Sequence, residues 1–231
     1  MSDLLIEIFT EELPARFING AEAQFVEHVV AHLDELFITH GEAHEYATPR
    51  RLIAYIADVA EQTEPRTDEV KGPAKAVSYD AQGNPTQALL GFCRGHGVDP
   101  AQVYTAETAG KTYVYVRQTV PGQQSHELIE TFLPRLIHEI SFPKMMHWEE
   151  SGLQFARPIR ALTALLGTRV LHWEVAGVCG SNITFGLRVG KPKPITVTSP
   201  DDYFRRLREA FVIVDPAERR KLIEKQAEKL L

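Results

Sequence analysis

LLIEIFTEELPARFINGAEAQFVEHVVAHLDELFITHG, residues 4–41, is the stretch that sets the fold class. Leu4-Leu5-Ile6-Glu7-Ile8 is a short apolar run and reads as an interior strand. Thr10-Glu11-Glu12-Leu13-Pro14 then reads as a helix start, with a hydroxyl to cap, two acids for the positive end of the dipole, and proline in the first turn. Phe17, Ala21, Phe25, Val29, Leu33 and Leu36 recur at three- and four-residue steps, which puts one apolar stripe on a long helix, and Gly41 is a natural stop. Leu52 to Val59 reads as the next strand.

Outward from this unit, residues 61–75 (EQTEPRTDEVKGPAK) are the most polar stretch and read as a surface excursion. A turn over Asp80–Asn84 leads to a short helix from about Pro85, closing at Gly95 or Gly97. Thr112–Val120 (TYVYVRQTV) alternates cleanly, as an edge or hairpin strand does. Glu127–Ile140 is helical in pattern, and Pro134 should bend it or split it. Ile159–Leu166, Val170–Val175, Asn182–Phe185 and Ile195–Thr198 read as strands, the last preceded by the connector Lys191-Pro192-Lys193-Pro194. Two charged helices follow from Asp201. Strands and helices do not alternate as regular βαβ units, so the expected class is α+β, with largely antiparallel or mixed sheets, flanking helices and a helical segment at the end. The expected division is an N-terminal α+β unit over 1–65, a second α+β unit with a β-rich C-terminal half over 66–200, and a helical segment over 201–231. The last stretch, RRKLIEKQAEKLL, stops inside a helical pattern without a cap, as a piece of a longer chain would.

The 231 residues carry 25 Lys+Arg against 31 Asp+Glu, a formal charge of −6, with 44% hydrophobic and 24% charged residues. That composition excludes disorder for the bulk of the chain and disfavours nucleic-acid binding through net charge alone, while leaving room for a local basic face. No apolar run approaches the ~18–20 residues that span a bilayer, and the N-terminus has no basic region of a secretory signal. Cys93 and Cys179 form no C-x-x-C pair, which excludes a disulfide scaffold and a cysteine zinc site and fits a reducing cytosol.

Catalytic signatures are mostly missing. No phosphate loop, no G-x-G-x-x-G after a strand and no G-x-S-x-G elbow occurs. Gly91 to Gly97 is glycine-rich but follows a helical pattern, where a phosphate cradle needs a strand running into a helix N-terminus. His28 and His32 share the i, i+4 spacing of a zinc pair, yet Val29 stands where H-E-x-x-H requires the glutamate base. A metal-dependent hydrolase built on them is a rival reading that predicts bound zinc, and none is expected. Glu11-Glu12 and Glu149-Glu150 could serve acid–base chemistry only if segments met to bury one member. More informative are segments that set proline beside a cation: Thr48-Pro49-Arg50-Arg51, Lys71-Gly72-Pro73, Phe142-Pro143-Lys144 and Phe155-Ala156-Arg157-Pro158-Ile159-Arg160. Proline fixes the backbone next to the charge, arginine offers a planar fork for phosphate or carboxylate, and lysine offers a point charge.

In order along the chain, LLIEIFTEELPA (4–15), ATPRRL (47–52), KGPA (71–74), YDAQG (79–83), FPKMMHW (142–148), FARPIR (155–160) and GLR (186–188) resemble the N-terminal part of the β subunit of bacterial heterotetrameric glycyl-tRNA synthetase. The resemblance covers nearly the whole chain. It departs at Phe9, where the family usually has glycine, and at Leu187, where it usually has histidine. It implies a longer chain with an HD-type and a helical anticodon-binding domain beyond residue 231. It also implies that glycine and ATP with magnesium are handled by a separate α subunit, that β supplies tRNA(Gly) binding and assembly, and that the complex is cytoplasmic. No catalytic residue, metal or cofactor is then expected on this segment. Proline-framed placement and motif membership together make Arg50, Arg51, Lys71, Lys144, Arg157, Arg160 and Arg188 the candidates for tRNA or partner contacts. The rival from another class is a stand-alone RNA- or protein-interaction module that keeps the fold without the synthetase role. Editing is poorly motivated, because glycine is the smallest amino acid and a pocket excludes every larger one by size.

Overall fold

Strand β1 (Ser2–Thr10) is buried at every residue from Leu4 to Thr10. The computed structural model describes residues 1–108, 110–187 and 193–229. After β1 come α1 (Ala15–Glu35), β2 (Ala43–Thr48) and β3 (Arg51–Val59). The chain then forms β4 (Arg66–Ala74), α2 (Lys75–Ser78), α3 (Gln87–His96), β5 (Tyr104–Thr108) and β6 (Lys111–Val120). It continues with α4 (Ser125–Glu139), β7 (Met146–His147), β8 (Gln154–Phe155), β9 (Ile159–Leu166), β10 (Arg169–Val170), β11 (Glu174–Val175), β12 (Val178–Ser181), β13 (Ile183–Phe185) and β14 (Pro194–Thr196). Helices α5 (Pro200–Glu209) and α6 (Pro216–Glu228) complete an α+β architecture.

The chain divides into two compact units, Met1–Thr63 with Gln123–Leu231, and Glu64–Gly122. In the first, the strand order is β11-β12-β9-β1-β3-β2, with β10 also on β9. β1 lies antiparallel between β3 and β9, and β12 runs parallel to β9. Both faces of β1 are covered, which is why it reads as an unbroken apolar run rather than an alternation. Leu4, Ile6 and Ile8 join Phe25, Val29 and Leu33 of α1 and Phe132 and Leu136 of α4. Leu5 joins Ile53, Leu165, and Tyr203 and Leu207 of α5 on the other face. Thr63 N–H donates to Gln123 O at 3.0 Å and Gln123 N–H to Thr63 Oγ1 at 3.0 Å, so the chain leaves and rejoins this unit at one tied point.

Gly180 of β12 marks a close approach: a Cβ there would fall on the Trp173 ring, which is itself buried in the core. Gly180→Ala is expected to cost about 1–3 kcal/mol through overpacking, read as a lowered urea midpoint at unchanged m value.

The second unit is a three-stranded sheet, β4-β6-β5, with Leu89 and Cys93 of α3 packed on Val114. Asp99 and Gln102 cap the single turn that precedes β5.

Four local expectations change. Thr10 ends β1 and α1 starts at Ala15 with no side-chain cap and no acid in its first turn, because backbone pairing claims the TEELP segment instead. Residues 66–74 are a strand: Thr67, Glu69 and Lys71 alternate on an exposed face, so polarity there reflects a one-sided sheet. The strand at 111–120 is central, paired on both sides, since the polar stretch expected to be a surface excursion supplies β4 as its second neighbour. Pro134 lies inside one continuous helix, held from both sides by buried Ile129, Phe132, Leu133, Leu136 and Ile137.

Candidate functional site

The end of β1 is gripped between the turns that lead into β3 and β9. Thr10 N–H donates to Arg50 O at 2.8 Å, Glu11 N–H to Pro158 O at 2.9 Å, and Leu13 N–H to Pro49 O at 2.6 Å. Proline has no N–H of its own, so Pro49 and Pro158 enter this zipper as acceptors only. Three sequence motifs far apart in the chain thus meet at one end of the central strands β3, β1 and β9.

Glu11 is the hub of their side chains. Its Oε2 accepts from Arg50 Nη2 at 3.0 Å and its Oε1 from Arg160 Nε at 2.9 Å. Arg157 Nε donates to Glu12 O at 3.1 Å and its Nη1 lies 3.8 Å from Met146 Sδ. Phe9 lies against this cluster, with the Arg50 and Arg51 guanidinium carbons 5.4 and 5.2 Å from its ring centroid, and Phe185 5.2 Å away on the aromatic side. Phe9 thus supplies a ring against which both arginines pack. A guanidinium has five N–H donors, and Glu11 engages one from each partner, leaving donors for an outside anion. Arg50 Nε is buried without a hydrogen-bond partner among the described residues, so the donors open to an anion lie elsewhere in the cluster. Arg160 is the open member, with its side chain 56% exposed against 20% for Arg50.

Beside the cluster is a groove of about 410 Å³, lined among others by Arg50, Leu187, Phe211 and Arg219. Phe211 is 83% exposed at φ 61° and Leu187 is 57% exposed, so this groove pairs two bare apolar side chains with cations. Arg219 donates from Nη1 to Ile213 O at 2.6 Å, which orients its head.

Arg51 is the most buried of the described candidates, with its side chain 3% exposed, Nε 3.5 Å from Glu7 Oε1, and Nη2 donating to Phe185 O at 2.7 Å. Glu7 is fully buried, and Tyr203 of α5 completes the pocket, its phenol pKa raised well above the usual value first by burial and then by the Glu7 carboxylate. Arg51 borders the same groove as Arg50, with its guanidinium committed to Glu7 and the Phe185 carbonyl. Of the other candidates, Arg50, Arg157 and Arg160 are brought together. Lys144 is exposed in the turn before β7, and the Met146–Phe155 pairing sets that turn beside the segment that carries Arg157. Lys71 belongs to the second unit, its ammonium 3.6 Å from the Tyr113 ring centroid. Arg188 lies outside the described residues, as do Lys191 and Pro192 of the connector.

The remaining chemistry-bearing groups have structural work. His32 Nε2 is 2.8 Å from Glu139 Oε2 and its ring stacks on Phe132 at 4.8 Å, tying α1 to α4. Glu149 accepts from Ser151 N–H and Oγ, which holds its pKa below the usual carboxylate range. Among the described residues no group of three or more His, Cys, Asp or Glu is placed to hold a metal, and no helix is long and apolar enough to cross a membrane. Phe155 is fully buried and Trp148 half-buried against the core. Phe211 and Arg219 are the site residues that motif reading passes over, while Glu11 enters it only as a helix-start acid or half of an acidic pair and Phe9 only as a departure from the resemblance.

The family model that matches residues 4–231 describes a subunit of an aminoacyl-tRNA synthetase. The chain belongs to that family, the glycyl-tRNA synthetase beta subunit. It is similar to the glycine–tRNA ligase beta subunit of Desulforamulus reducens, 41% identical over 228 residues, covering 99% of this chain and 33% of the relative. The namesake from Desulfitobacterium hafniense strain Y51 is 41% identical over 224 residues, covering 97% and 32%. That of Bacillus subtilis is 38% identical over 226 residues, covering 98% and 33%. The chain spans about a third of the length of the curated relatives it matches.

Proposed function

We propose that this chain is the non-catalytic N-terminal part of a glycine–tRNA ligase beta subunit, which supports tRNA binding and assembly with a catalytic α subunit in the cytoplasm. The observation that carries the reading is the meeting of the TEELP, TPRR and ARPIR segments in one cluster, where Arg50 and Arg160 share the hub carboxylate of Glu11 and Arg157 donates to the neighbouring Glu12 carbonyl. Such a cluster presents oriented guanidinium donors to phosphate at little further ordering cost. ATP with magnesium serves the complex through the α subunit, where glycine is activated as an adenylate before transfer to the tRNA end. The contribution of this chain is to hold the RNA in place through charge and orientation.

The test uses the assembled ligase with Arg157→Ala and Arg160→Ala in the β chain. The KM for tRNA should rise about thirtyfold, as expected when two charge-assisted hydrogen bonds of roughly 1 kcal/mol each are removed, with glycine-dependent ATP–pyrophosphate exchange unchanged. A fall in exchange with an unchanged KM for tRNA would reject the reading. The second reading, a stand-alone interaction module, draws on the groove in which Leu187 and Phe211 stand exposed beside the cations.

A further inference from the structure

The second unit has a face that none of the preceding chemistry uses. In TYVYVRQTV, Val114 and Val116 point to α3 and are buried, so Tyr113, Tyr115 and Arg117 point the other way. The register sets Tyr104 opposite Tyr115, Lys71 opposite Tyr115 from the other side, and Glu69 opposite Arg117. All three strands therefore contribute to one surface. The Tyr104 and Tyr115 rings lie 5.8 Å apart at 26°, the Lys71 ammonium is 3.6 Å from the Tyr113 ring, and the Arg117 guanidinium is 5.2 Å from the Tyr104 ring. Glu69 holds Arg117 in place at 3.3 Å, and Thr108 Oγ1 is 2.6 Å from the Tyr115 hydroxyl. Lys71 and Arg117 are exposed and the three tyrosines half-buried, as in a platform whose rings are fixed by neighbours and capped by mobile cationic side chains.

We propose that this face binds unpaired nucleotides of RNA, with bases stacked on Tyr104, Tyr113 and Tyr115 and phosphates met by Lys71, Lys111 and Arg117. Rings side by side on a sheet read base faces, which only unstacked nucleotides expose. The same face carries those three cations against Glu69, a local positive charge in a chain whose total is −6. On binding, Lys71 and Arg117 exchange a ring for a phosphate, and the base takes the ring face they leave. The inference rests on the reading of the chain as part of an RNA-handling ligase, and its test separates the two.

The chain is titrated, by fluorescence anisotropy, with a short unstructured oligouridylate, a blunt RNA duplex of equal charge and a polyglutamate peptide. The oligouridylate is expected to bind more tightly than the duplex or the peptide. Tyr113→Leu with Tyr115→Leu should weaken it by about tenfold or more for each stack removed, and Lys71→Gln with Arg117→Gln, which leaves the rings in place, should weaken it and flatten its salt dependence. Equal or tighter binding of the duplex or the peptide overturns the proposal, as does oligouridylate affinity that ignores both second-unit variants. Retained binding of whole tRNA through the arginine cluster in that case would overturn this face alone, and absence of all RNA binding would overturn both readings.

Discussion

Replacing Arg51 by methionine should destabilise the chain by about 3–5 kcal/mol, because it strands the Glu7 carboxylate, fully buried at the centre of the sheet, without its counter-charge. The loss is a large part of the ~5–15 kcal/mol that holds a typical domain together. The same figure applies to Glu7→Leu, which strands the guanidinium instead. Removing both charges together should return most of the stability, since an apolar pair of similar volume is often neutral or better at a buried site. Urea denaturation of the two single variants and the double variant gives the coupling directly. A single Arg51 variant within about 0.5 kcal/mol of the parent would show the pair to be exposed or unformed.

Phe155→Ala is the second large effect. The ring is fully buried, meets Phe142 edge-on at 4.8 Å, and pairs its backbone with Met146. Truncation should cost about 3–5 kcal/mol through the transfer energy forgone and the cavity left behind. It should also loosen the segment that carries Lys144, read as faster amide exchange at residues 144–148 than in the rest of the sheet. Uniform exchange with a small stability change would mean that the segment is held by other neighbours.

How much of this is legible in the sequence depends on how far apart the interacting residues lie. The β1 run is readable because both of its faces are covered, and the α1 stripe because one face is: Phe17, Ala21, Phe25, Val29 and Leu33 are all buried. The alternation of β6 is readable for the same local reason. What local patterning does not supply is partnership across the sheet. Glu7 interrupts an apolar strand, and a buried carboxylate requires a cation, so its presence is a signal for a buried base; which arginine answers depends on the register of β1 against β3. Proline beside a cation picks out Arg50 and Arg51 alike, yet the two adjacent residues pair differently, Arg50 with the half-buried Glu11 and Arg51 with the fully buried Glu7. Glu11 resembles a dipole complement because helix-start rules ignore the two distant turns that claim it. Strand β4 is hidden because an exposed face in a small sheet reads as polar as a loop does.

The most direct test of the central claim is the salt dependence of tRNA binding by the assembled ligase, with and without Arg50, Arg157 and Arg160 replaced by alanine. If the cluster neutralises phosphates, the slope of log K against log salt should flatten by up to ~0.9 for each phosphate no longer neutralised, so by up to about 2.7 for all three. An unchanged slope in a folded triple variant would contradict the account and leave the cluster a brace for the end of the central strands.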